Sequence, residues 1–108
     1  MEQKEDEMKV IMMREFGSVL GTRVSGRAAY DRIMSETCSL QVPTTFDFDG
    51  VKTVTSSFAD EVFGRMALDL GLESMRQCTS FRNVDPFWAR VIRGAINSRD
   101  EQRELATA

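Results

Sequence analysis

The chain has 108 residues, 42% of them hydrophobic, which suits one small domain with a single core. It has no histidine, so the commonest general base and metal ligand is missing, and its net charge of −3 argues against the basic surface of a nucleic-acid binder. No apolar run is long enough to span a bilayer, and the acidic start MEQKEDE is unlike a signal peptide, so no membrane or secretory role is expected.

Residues 1–7 and 99–108 read as charged, flexible tails around one domain spanning 8–98, with the polar run from Ser98 expected either to fray or to extend the last helix. Residues 8–16, MKVIMMREF, predict a first strand whose apolar centre, Val10 to Met13, suits burial on both faces. Gly17, Gly21 and Gly26 then punctuate a loop holding Arg23 and Arg27, with room for a short extra strand at 18–20. This loop lacks the P-loop lysine and the dinucleotide-binding spacing. Turn glycines explain it most simply. An anion site formed by Arg23, Arg27 and the next helix start is the functional reading. Ser25 is the expected cap of a helix over 26–36, with Ala29, Tyr30, Ile33 and Met34 as its apolar face.

Pro43 leads into a strand over 44–49, in which Phe46 and Phe48 alternate with Asp47 and Asp49. Val51 and Val54 are expected to plug the loop that follows. A helix then starts at Ser56 or Ser57. Its apolar residues come in pairs, Phe58/Ala59, Val62/Phe63 and Met66/Ala67, then Leu70, which places them on one wide face. Asp60, Glu61, Arg65 and Asp69 fall on the other face and are expected in solvent. Ser57, with Asp60 three residues on, is the expected cap, and Gly71 suits the helix end.

Residues 74–81 predict another strand, with Met75, Gln77, Thr79 and Phe81 facing one way. Asp85 and Pro86 open a last helix as cap and first residue, and Phe87/Trp88, Val91/Ile92 and Ala95/Ile96 repeat the paired stripe. Strand and helix alternate three times. That order predicts an α/β fold with a largely parallel sheet of three to four strands and amphipathic helices packed on it. Cys38 and Cys78 have no motif spacing and are expected as free buried thiols.

The segment FDFDGVKTVTSSFADEVFGRM resembles the core of the STAS-like domain family of unknown function. The matching residues are Asp47, Gly50 and Val51, then Ser57, Phe58, Asp60, Glu61, Phe63 and Gly64. Gly21, Arg23 and Gly26 resemble the preceding loop and helix of that family, and the resemblance covers about residues 10–96. More distantly, the layout is similar to anti-sigma-factor antagonists, in which a partner kinase phosphorylates a serine ahead of the corresponding helix. Here the tripeptide is Thr55-Ser56-Ser57, with Ser56 at the phosphoserine position. Thr55 replaces the usual aspartate, and Phe58 replaces the usual glycine.

The resemblance implies a cytoplasmic regulatory module, bacterial or phage-related, with a protein partner of the histidine-kinase-type ATPase class. It marks Thr55, Ser56, Ser57 and Phe58 as the partner-binding or phosphorylation site. No catalytic constellation stands out, and no cofactor or metal is expected. The leading function is therefore a non-enzymatic protein-interaction module. The alternative is a small-ligand or nucleotide-binding domain using the glycine and arginine loop with the helix start at Ser57. An enzyme would have to use Asp47, Asp49, Asp60 and Glu61, all expected as solvated carboxylates.

Overall fold

The computed structural model describes residues 8–107; the lead-in expected at 1–7 lies outside them. β1 (Lys9–Met12) runs into a 3-10 turn (Met13–Phe16) and a two-residue strand, β2 (Val19–Leu20). α1 (Arg23–Glu36) leads to β3 (Thr44–Asp47) and β4 (Thr53–Val54). The central helix, residues 56–70, joins α2 (Ser56–Ala59), a π turn (Asp60–Gly64) and α3 (Arg65–Leu70) without a break. α4 (Leu72–Cys78), β5 (Thr79–Arg82) and α5 (Pro86–Thr107) complete the chain.

β1, β3 and β5 form a parallel sheet with β3 in the middle, and β2 pairs in parallel with β4. Parallel neighbours need a crossover, supplied here by α1 and then by the central helix with α4. This is the expected α/β architecture, and β2 is the extra strand expected near 18–20. The sheet rows Ile11–Phe46–Phe81 and Met12–Asp47–Arg82 point to opposite faces. On the inner face the Phe63 ring meets Phe46 at 5.2 Å, Phe48 at 6.0 Å and Phe81 at 5.2 Å. Phe58, Ala59, Val62, Phe63, Met66 and Ala67 are all completely buried, so the paired stripe is the core.

Several expectations are corrected. Val10 is 42% exposed, because β1 is an edge strand whose outer face no helix layer closes. Residues 74–78 are helix, not strand: Met75 is buried one turn after Leu72, and Thr79 Oγ1 donates back to the Met75 carbonyl at 2.7 Å. Thr22, not Ser25, caps α1, accepting the Ser25 N–H at 3.0 Å, so Arg23 and Gly26 lie inside the helix. Residues 99–107 continue α5, so of the two outcomes left open for the polar end the helix extension is the one found; Arg99 and Arg103 anchor that stretch on the central helix. Cys38 is exposed rather than buried, and both cysteines are free. Among the described residues of α5 only Ile92 is buried, and Phe87 is 54% exposed.

Candidate functional site

β4 ends one residue before the central helix begins, and Thr55 fills that joint. Its N–H donates to the Leu20 carbonyl at 2.9 Å, and its Oγ1 donates to the Gly21 carbonyl at 2.8 Å. The same oxygen accepts the Phe58 N–H at 3.2 Å, which makes Thr55 the helix cap. The expectation that Ser57 caps the helix is thus corrected. Once Thr55 holds the non-helical cap position, Ser56 and Ser57 fall in the first turn. Ser56 is exposed, Ser57 is half-buried, and neither hydroxyl has a hydrogen-bond partner among the described residues. Phe58, which the resemblance places in the partner-binding site, is completely buried in the core, as its place in the apolar stripe requires. The helix needs an apolar anchor there, because its first turn is already under α1 and α5.

One turn on, the carboxylates expected in solvent are enclosed. Asp60 accepts two hydrogen bonds from Arg99, at 2.7 and 2.8 Å, and one from Arg23 at 2.8 Å. Glu61, 8% exposed, accepts from Arg23 at 3.1 Å and from Arg65 at 2.6 Å. The residues Glu61 to Gly64 are all buried, which one-faced packing does not allow. The sheet, α1 and α5 surround the helix at this level. Two glycines permit the closeness: a Cβ on Gly26 would lie 2.9 Å from Glu61 Cβ, and one on Gly64 would lie 2.9 Å from Asp60 Oδ1 and 3.1 Å from the Ala95 carbonyl. Arg99 and then Arg23 hold the Asp60 carboxyl down to about 2, and Arg65 leads in lowering that of Glu61. Both therefore remain ionised, as structural anions clamping α1 and α5 to the central helix.

Ser56 opens onto a groove of about 700 Å³ between the central helix and α5. Arg23, Arg90 and Arg99 line it together with Asp60. Asp60 engages Arg23 and Arg99; Arg90 makes no ion pair among the described residues and lies 6.0 Å from the Phe87 ring centroid. The groove thus presents the free Ser56 hydroxyl, the uncompensated Arg90 guanidinium and a helix N-terminus, features that attract an acidic or phosphorylated group.

Of the remaining candidates, Arg23 lines the groove, while Arg27, Asp47 and Asp49 are not among its lining residues. Arg23 and Arg27 do not converge on one anion position: Arg27 pairs with Asp31 at 3.2 Å on the surface of α1. Asp47, expected in solvent, is 5% exposed and accepts from Arg82, Asn83 and the Asp49 N–H at 3.0, 3.0 and 2.9 Å. Asp49 is exposed and pairs with Arg14. Among the described residues no group of three or more His, Cys, Asp or Glu could hold a metal, and no helix is long and apolar enough to cross a membrane. Sequence reasoning missed Arg90 and Arg99, which come from α5, 34 or more positions beyond Ser56. The only local hint was the run of arginines along a single helix.

Residues 32–86, about half of the chain, match the family described as STAS-like domain of unknown function (DUF4325). The matched span contains β3, the central helix, β5 and Ser56. No curated protein and no solved structure gives a match.

Proposed function

The chain belongs to the family of STAS-like domains of unknown function, and on that premise we propose that it is a non-enzymatic regulatory module that binds a protein partner through the Ser56 groove. The observation that carries this reading is Ser56 itself. It is an exposed hydroxyl without a partner at the start of a helix whose next two turns are buried, and it opens onto a groove lined by three arginines. The likeness to anti-sigma-factor antagonists adds the partner class, a histidine-kinase-type ATPase, and the switch, phosphorylation of Ser56.

The geometry removes one objection to that switch. A phosphate on Ser56 adds roughly −1.5 to −2 charges, which bare carboxylates at Asp60 and Glu61 would oppose. Both carboxylates are already matched by Arg23, Arg65 and Arg99, and Arg90 remains for the phosphate. The fold should tolerate the modification, while a partner fitted to a neutral hydroxyl should be lost. A small anionic ligand is less well served, because Arg90 alone would have to hold it in an open groove.

The test is a pull-down from the source cell with the wild-type chain, Ser56→Asp and Arg90→Glu as baits, read by mass spectrometry. The reading expects a protein retained by the wild type and lost from both variants. Identical captures from all three baits would overturn it. Intact mass of the natively purified chain reports directly on a phosphate at Ser56.

A further inference from the structure

The far side of α5 carries a second surface, unrelated to the Ser56 groove. Among the described residues β5 pairs with β3 on one side only, so its other edge is unpaired. In a parallel ladder successive residues bond alternately to left and right. The Phe48 N–H donates to the Arg82 carbonyl at 2.9 Å, so Arg82 bonds inward to β3. The N–H and C=O of Phe81 therefore point outward, and neither has a hydrogen-bond partner among the described residues. Along this same edge run two adjoining hollows of about 420 and 410 Å³, which share Phe81, Arg93 and Ile96. Val84 and Ile92 floor the first, and Leu72 and Met75 the second. Phe81 is 37% exposed there.

An added strand beside β5 would bond to the Phe81 backbone and drop alternate side chains into this apolar trough. The rim fixes the charge of the partner. Arg76 and Arg93 line the trough, both are exposed, and neither makes an ion pair among the described residues. Pairing with a second copy through this edge would bring like charges together, which disfavours that occupant. We propose that the β5 edge and the β5–α5 trough bind an extended acidic peptide of a partner protein, with apolar residues alternating with Asp or Glu, as an additional strand.

The probe is a fluorescein-labelled nine-residue peptide alternating valine and glutamate, followed by anisotropy against the full chain. Saturable binding is expected in the micromolar range, weakened at least tenfold in Arg76→Glu/Arg93→Glu and unchanged in Lys52→Glu, which reverses a charge elsewhere. Backbone N-methylation of the peptide should abolish binding, and the Phe81 amide should gain protection from hydrogen exchange. Three outcomes would overturn the proposal: no binding at millimolar peptide, equal binding when lysine replaces glutamate, or full binding after N-methylation. Self-association lost on charge reversal at Arg76 and Arg93 would also overturn it, in favour of a second copy.

Discussion

Thr55 Oγ1 accepts the Phe58 N–H and donates to the Gly21 carbonyl, so one hydroxyl joins the start of the central helix to the end of β2. Thr55→Ala should cost about 0.5–2 kcal/mol in urea unfolding, the range for a lost cap. Ser57→Ala should stay within about 0.5 kcal/mol, because its hydroxyl has no hydrogen-bond partner among the described residues to lose. Equal losses from the two would show that the cap is shared. Asp60 makes a pH prediction. Its carboxyl sits at about 2 in the fold against an ordinary 3.8. A depressed carboxyl stabilises the fold above its unfolded value, and that contribution is lost as pH falls from about 4 toward 2. Asp60→Asn should remove this part of the acid slope and lower stability at pH 7 by about 1–3 kcal/mol, because Arg99 and Arg23 lose their anionic partner and one of its two acceptor oxygens. An unchanged acid profile would show that the clamp is not ionic. The sequence showed a hydroxyl-rich helix start but not which hydroxyl caps it. That choice depends on where β4 ends, and β4 exists only because β2, more than 30 residues earlier, pairs with it.

At the scale of elements, the paired stripe of the central helix was legible because its spacing follows the helical repeat: its three pairs are completely buried, and Leu70 is partly buried against the core. The opposite side was misread because amphipathic reasoning gives a helix one covered face. Here α1 and α5 cover much of the other side, at a π turn where Gly26 and Gly64 let backbones approach. Gly64→Ala should therefore cost about 1–3 kcal/mol, as overpacking against a backbone carbonyl does. Gly94→Ala, on exposed α5 with nothing within 4 Å of an added Cβ, should instead gain roughly 0.5–1 kcal/mol from helix propensity. Paired thermal melts check both, and a neutral Gly64→Ala would mean that α5 is not tightly docked. The 74–78 half of the strand expected over 74–81 is helix for a related reason: short alternation cannot outweigh the burial of Met75, with Leu72 half-buried beside it on the same helical face.

At the scale of the molecule, the phenylalanine cluster ties the sheet to the central helix, and the arginine clamps tie α1 and α5 to the same helix. Phe63→Ala should cost about 3–5 kcal/mol, the range for truncating a buried phenylalanine. The α/β class was legible from the alternation of strands and helices. The groove was not, because its two walls meet only after α5 folds back across the chain. The most direct test of the groove as the contact surface is the affinity of the captured partner for the wild-type chain and for Ser56→Asp, measured beside their melting temperatures. The account predicts that Ser56→Asp melts within a few degrees of wild type yet binds at least about tenfold more weakly, some 1.4 kcal/mol. Wild-type affinity from a normally folded Ser56→Asp would contradict it.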